Sequence, residues 1–283
     1  MRSTLSEWVG YIPIRNPSGL DSEGSGGIPL RVLVLAIWPS HCGGAHLTDA
    51  IITNVYRNRI LASLPAATIK QLAPHLTPVN LPRDLTLREP GRPGNHVYFL
   101  EDGICSIVVD LENGMTVEVG IIGRDGFVGI STALGAGQPP NRCFMQVPGY
   151  GYRVKTKILV ELSEALPPLR LRLLQSVQGL FTQTAQTAAC NRVHELHQRL
   201  ARWLLMCHDR LQTEQIQITQ EFLANMLGTR RSSVSVAAGM FQKAGIITYV
   251  RGRVNILNRD GLVDAACECY KTVHDESVRL GLL

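Results

Sequence analysis

Nothing near the start of this chain could cross a bilayer. The most apolar run there, 28–38, is 11 residues long and is interrupted by Pro29 and Arg31. A spanning helix needs roughly 20. No basic segment precedes the run, and His41-Cys42-Gly43-Gly44 makes a poor cleavage site, so neither a secretory leader nor a membrane partner is expected. A regular cysteine framework is also missing. The seven cysteines, at 42, 105, 143, 190, 207, 267 and 269, are odd in number and unevenly spaced, which predicts reduced thiols in a cytoplasm. Enzyme signatures are lacking too: there is no Gly-x-Ser-x-Gly, Walker loop or dinucleotide fingerprint. Gly135-Ala136-Gly137-Gln138 carries glycines, but no helix with Lys or Ser follows to cradle a phosphate. The sequence therefore predicts no enzyme and no cofactor.

What is present concentrates in residues 218–257. Thr219 is a candidate N-cap, followed by Phe222, Leu223, Met226 and Leu227 at helical spacing. Gly228 stands where a left-handed C-cap would sit. A second helix can begin three residues later, with Arg231, Ser232 and Ser233 in its first turn and Val234, Ala238 and Phe241 on one face. Gly245 stops it, and two β-rich runs follow around an Arg251-Gly252-Arg253 tip. This is the outline of a helix-turn-helix with a wing, which offers the start of its second helix to a major groove. Charge agrees. Residues 191–259 hold ten basic and four acidic side chains, +6, while the whole chain carries +5, so the remainder is near neutral at −1. A polyanion is the partner such a segment suits; a merely solvated basic surface is the plainer alternative.

At 283 residues there is room for about two domains of roughly 100–200 residues each. Residues 1–55 show no convincing periodicity around a Gly/Ser-rich piece at 19–27 and are expected to be a disordered N-terminal extension, with a short added β-hairpin on the next domain as the alternative. Residues 56–161 read as two short helices, then strands at 77–81, 84–88, 96–101, 104–111, 115–122, 142–147 and 151–155. Asn113-Gly114 is a strong hairpin signal among them. Many short antiparallel strands imply a sandwich, barrel or roll. Residues 162–190 form a helical segment that Pro167-Pro168 can begin or interrupt. Leu169, Leu173, Val177, Leu180 and Phe181 fall near three-four spacing along it. That stripe suits either a second copy of the helix across a two-fold axis or the helix's own domain. Residues 191–275 hold a further helix and the winged segment, and 276–283 are expected to be a tail.

The order β-roll, long helix, winged helix-turn-helix resembles the Crp/Fnr superfamily of bacterial transcription regulators. Residues 87–130, LREPGRPGNHVYFLEDGICSIVVDLENGMTVEVGIIGRDGFVGI, are similar to its effector-domain core, and 218–235, ITQEFLANMLGTRRSSVS, to its DNA-binding signature. The resemblance implies an α+β fold, with an N-terminal antiparallel β-roll, a long dimerisation helix and a C-terminal winged helix-turn-helix. It also implies a homodimer on a palindromic operator in double-stranded DNA. RNA polymerase is a partner that it allows. Carried over residue by residue, Arg231, Ser232, Ser233 and Ser235 take the DNA-facing positions of the recognition helix. Arg231 suits a guanine, whose O6 and N7 a guanidinium meets together. Thr219 and Gln220 would meet phosphate at a helix N-terminus; Arg230, Arg251 and Arg253 would add phosphate contacts. Ser232 and Val236 stand where many members have an acidic residue and a second Arg, so a different operator is expected.

The family's cyclic-nucleotide pocket uses a Gly-Glu pair for the ribose and an Arg followed by Ser/Thr for the phosphate. Here Gly129 is followed by Ile130, which cannot accept a ribose hydrogen bond. The downstream counterpart, Arg142 then Cys143, comes about two residues late, and Thr184 on the long helix is the remaining pocket candidate. Cyclic AMP is therefore not expected to bind in the usual way, and the effector is unidentified. A small-ligand module acting on a protein partner is the alternative function. No metal is expected. The cysteines do not match an iron–sulfur framework. Cys267-Glu268-Cys269 is too tightly spaced for the usual zinc pair, with side chains that would point apart on a helix. His194 and His197 would share a helix face without the metalloprotease glutamate. His41, Cys42 and His46 fall in the extension. A haem histidine at 75, 96 or 194 is left open.

Overall fold

The computed structural model describes residues 56–213 and 215–283. The expectations for residues 1–55, including that His41, Cys42 and His46 hold no metal, lie outside the described residues. Two short helices come first, α1 (Arg59–Ala62) and α2 (Ala66–Leu72). Asn58 caps α1 by accepting from Ile60 and Leu61. Its amide nitrogen meanwhile donates to the carbonyls of Leu100 and Gly126 at 3.0 and 2.9 Å, pinning the helix to the strands.

Eight strands then build two antiparallel four-stranded sheets. They are β1 (Thr77–Leu81), β2 (Thr86–Arg88), β3 (His96–Leu100), β4 (Ile104–Asp110), β5 (Thr116–Ile122), β6 (Phe127–Val128), β7 (Arg142–Val147) and β8 (Gly149–Lys155). One sheet runs β1-β8-β3-β6 and the other β2-β7-β4-β5. A one-turn helix, α3 (Ile130–Ala133), follows β6. Alternation seals the roll: Leu81, Leu100, Cys105, Val128 and Met145 point inward, pack together and are fully buried. On the other face of the first sheet Phe99 and Phe127 pack 6.0 Å apart, in a core shared with α1 and α2.

Helix α4 (Thr156–Ala165) leads into the long helix α5 (Pro167–Val193). Pro167 starts α5 because its missing N–H would have no partner there. The expected single segment is thus two helices, and the long one runs to 193 rather than 190. Its apolar residues divide between two faces. Leu169 and Leu173 are buried in the core between the helices and the outer face of β3, β6 and β8, so this part of the predicted stripe seats the helix on its own domain. Gln183, also buried, accepts from Ile121 N at 2.8 Å and donates to Ile121 O at 3.0 Å. It thereby pairs with the open edge of β5. The opposite face exposes Leu171, Leu174, Gln178, Phe181 and Ala185. Phe181 belongs here, 68% exposed, not with the inward residues.

After a break at His194-Glu195 come α6 (Leu196–Leu211), β9 (Gln215–Gln217), α7 (Gln220–Met226), α8 (Arg231–Lys243), β10 (Ile247–Val250), β11 (Arg253–Ile256), α9 (Arg259–Ala265) and α10 (Glu268–Arg279). His194 caps α5 and His197 lies in α6, so the two do not share one helix. The third sheet, β10-β11-β9, includes a strand that the sequence did not suggest. Of residues 276–283, expected as a tail, 276–279 form the last turn of α10 and 280–283 follow its C-terminus. Leu280 and Leu282 are buried, and Leu282 lies over Gly179 of α5.

The two halves are joined by buried polar contacts. Arg210 pairs with Asp125 at 2.6 Å, and Trp203 Nε1 donates to Glu118 Oε1 at 2.7 Å. Phe222 of α7 meets Phe144 of β7 edge-on at 6.1 Å.

Candidate nucleic-acid interface

Thr219 caps α7 by accepting from Phe222 N at 3.2 Å. The chain then turns through Gly228, at φ +58, a conformation that side chains with a Cβ resist. Thr229 N closes the turn onto Ala224 O at 2.9 Å. Leu223, Ala224 and Leu227 of the first helix pack with Val234, Ala237, Ala238 and Phe241 of the second in one core. That packing fixes the angle of α8 and forces the rest of it outward. Arg231 and Ser232 are exposed in its first turn, with Val236 and Met240 below them on the same open side.

The N-cap of α8 is Arg230, also exposed. Ser233 is half-buried. Ser235 does not face outward freely. Its hydroxyl donates to Gln220 Oε1 at 2.6 Å and lies 3.1 Å from Arg231 O, bracing one helix of the motif against the other. Among the described residues neither the amide N–H groups of Gln220 nor the hydroxyl proton of Thr219 has an acceptor. At the wing, Val250 faces Arg253 across a two-residue tip, with Arg251 at φ +50 and Gly252 at φ +75. Two positive φ values in succession make the tight turn that matches strand twist. Both arginines of the tip are exposed. Tyr249 anchors the wing through its hydroxyl to Ile218 O at 2.8 Å.

Arg230, Arg231, Arg251 and Arg253 make no ion pair with another described residue; the arginine ion pairs lie at Arg142, Arg210, Arg259 and Arg279. Four guanidinium groups without an ion pair among the described residues, two of them beside a helix N-terminus, form a surface that a polyanion can neutralise.

Residues 198–265, from α6 through α9, match the Crp-like helix-turn-helix domain family. This segment is thus of the Crp-like helix-turn-helix kind. The global nitrogen regulator of a Synechocystis species is 22% identical over 209 residues, covering 68% of this chain and 91% of that protein. Among solved structures, FixK2 from Bradyrhizobium japonicum superposes with a TM-score of 0.60 at 15% identity, covering 68% of this chain and 98% of that one. A Crp/Fnr-family transcriptional regulator from Thermus thermophilus gives 0.55 at 18% identity, covering 67% and 98%. These likenesses establish the Crp/Fnr fold.

The second site lies in the β-roll, a cavity of about 200 Å³ lined in part by Arg88, Gly129, Ile130, Thr132, Cys143 and Thr184. Of the four residues expected there, Gly129, Cys143 and Thr184 are brought together. Arg142 is not. Strand alternation turns it outward, where it pairs with Asp110 at 2.8 Å and holds that carboxyl down at about 2. The cation in the cavity is Arg88, which the sequence reading missed. Its guanidinium donates to Leu87 O at 2.7 Å and to His96 O and lies 5.6 Å from the Tyr98 ring. Burial lowers its pKa. A Cβ on Gly129, already at φ +122, would stand 2.4 Å from Arg88, so this glycine keeps room for the cation.

Proposed function

We propose that this chain is a DNA-binding transcription regulator that grips a palindromic operator as a homodimer. The observation that carries the reading is the unpaired, exposed arginine set around the N-terminus of α8 and the wing tip. In this arrangement Arg231 reads a base edge. Arg230, Arg251, Arg253, Thr219 and Gln220 position the phosphates, and Ser232 and Ser233 are short donors beside them. Ser235 acts through the motif's internal brace. The dimer seam is the open face of α5. Leu171, Leu174, Gln178, Phe181 and Ala185 recur at three-four spacing, the period of two helices packed along their length. RNA polymerase is a further partner of such a regulator, and the cytoplasm is its compartment. Among the described residues no helix is long and apolar enough to cross a membrane.

The β-roll acts as the sensor without using cyclic AMP in the family's usual way. Ile130 supplies no acceptor for a ribose, and the cavity falls short of the roughly 300–1,000 Å³ of a typical small-molecule site. Arg88 favours a compact anion instead. Genome-wide mapping of bound DNA tests the main reading: a palindromic half-site pair about one helical turn apart is expected. Enrichment of no palindrome overturns it. Isothermal titration with cyclic AMP and cyclic GMP should show no binding; saturable heat from either would overturn the sensor reading.

A further inference from the structure

The sequence expectation that Cys267 and Cys269 point apart fails for a local reason. Cys267 is the N-cap of α10, with extended backbone at φ −80 and ψ 163, while Cys269 lies in the first helical turn. The change of backbone between them turns both sulfurs to one side. There they meet Cys190, in the last turn of α5, and His194, which caps that helix. The four ligand atoms all lie within 4.8 Å of one another. Cys190 Sγ and Cys267 Sγ are 3.4 Å apart, and Cys269 Sγ is 3.6 Å from His194 Nδ1.

We propose that Cys190, His194, Cys267 and Cys269 form a zinc site. A tetrahedral zinc ion holds sulfur at about 2.3 Å and nitrogen at about 2.0 Å, which spaces its ligands roughly 3.5–3.8 Å apart. The observed separations need only small adjustments to reach that. The histidine is already oriented. Its Nε2 faces Glu268 Oε1 at 3.2 Å, which directs the lone pair of Nδ1 toward the sulfurs. Metal-binding histidines are characteristically held by such a carboxylate on the far nitrogen. The three thiols are almost completely buried, so the site is closed and has three sulfurs and one nitrogen, the donor set of structural zinc. Three thiolates around zinc leave one net negative charge, and Arg199 and Arg202 lie within electrostatic reach of Cys190. Ordinary core thiols would explain the burial. They would not explain a carboxylate-backed imidazole aimed into the group.

The position gives the ion a task. Cys190 and His194 sit where α5 ends and the chain breaks before the DNA-binding domain, and Cys267 and Cys269 begin α10, which lies back along α5. Zinc here clamps the last helix to that junction.

The full-length protein, purified under reducing conditions, should carry one zinc per chain by mass spectrometry. After chelation it should take zinc back stoichiometrically, in competition with a chromophoric chelator. Cobalt(II) in its place should give thiolate-to-cobalt charge-transfer bands and the d–d bands of a tetrahedral ion, a readout that needs no variant. Cys267→Ser and His194→Gln should lose these bands or shift them, whereas Cys207→Ala, outside the cluster, should keep them. The proposal is overturned if reduced wild-type protein takes up neither ion stoichiometrically, or if Cys267→Ser leaves the cobalt spectrum unchanged. A Cys190–Cys267 disulfide in protein that binds no metal would overturn it equally. None of these readouts depends on DNA, so they stand or fall apart from the operator reading.

Discussion

The winged module and the joint between the module and the β-roll spend their arginines differently. Around α8 and the wing tip the guanidinium groups are exposed and lack ion-pair partners among the described residues. At the joint, Arg210 is buried and fixed to Asp125 at 2.6 Å, beside the buried Trp203–Glu118 pair. The first set can be discharged only by something outside the chain. The second holds the chain together. Net charge cannot separate these roles, because all of these arginines fall in the same +6 segment; geometry does.

The largest test of the contrast is Arg210→Ala. It strands the Asp125 carboxylate in a buried place, which should cost about 3–5 kcal/mol of stability in a urea titration. A loss below about 1 kcal/mol would show that the joint is no more than a surface pair.

Next comes the pH profile of the joint. Burial raises the Glu118 carboxyl to about 7, against hydrogen bonds from Ser106 and Trp203 that lower it. The native state therefore holds this proton more tightly than the unfolded chain does. The contribution to stability is full below the unfolded value of about 4.5, declines as pH rises and is lost above about 7, roughly 3 kcal/mol in all. Glu118→Gln should flatten that decline in denaturation measured from pH 5 to 8. An unchanged slope would mean that the group titrates elsewhere.

Arg231→Ala should behave in the opposite sense to Arg210→Ala. Unfolding should move by less than about 0.5 kcal/mol, while affinity for the mapped operator should drop by roughly 1–3 kcal/mol and one base position should relax. Equal losses on operator and random DNA would remove Arg231 from base reading. The smallest effect is expected at the wing. Arg253→Ala should weaken all sequences alike and lower the slope of log affinity against log salt by about one. Discrimination that changes with this variant would make the wing a reader rather than a clamp.

The local signals of the chain were good guides to the fold. Alternating apolar residues marked most strands, Asn113-Gly114 marked its hairpin, and the Gly228 turn separated the two helices of the motif. Short strands failed. Phe127–Val128 and Gln215–Gln217 are too brief for any period to show. On the open side of α8, residue type and helix phase placed Arg231 and Ser232 outward, because exposure follows from which side is apolar, but they did not show that Ser235 turns to Gln220. In the β-roll cavity they did not. Arg142 and Arg88 are equally plausible cations in sequence, and only strand direction and the room left at Gly129 choose between them. The four-residue cluster was hidden for another reason. Its parts are some 75 residues apart, and the pairing of Cys267 with Cys269 depends on where α10 begins.

The grip of Gln183 on both backbone groups of Ile121 has a mechanical meaning. In hydrogen-bonding terms one side chain of α5 serves as a piece of the next strand, so the helix is stitched to the sheet edge rather than only resting on it. Rolling α5 about its own axis would tear that stitch. Sliding α5 and β5 together would not. A displacement of this sheet edge would therefore pull on α5, whose far side carries Leu174 and Phe181.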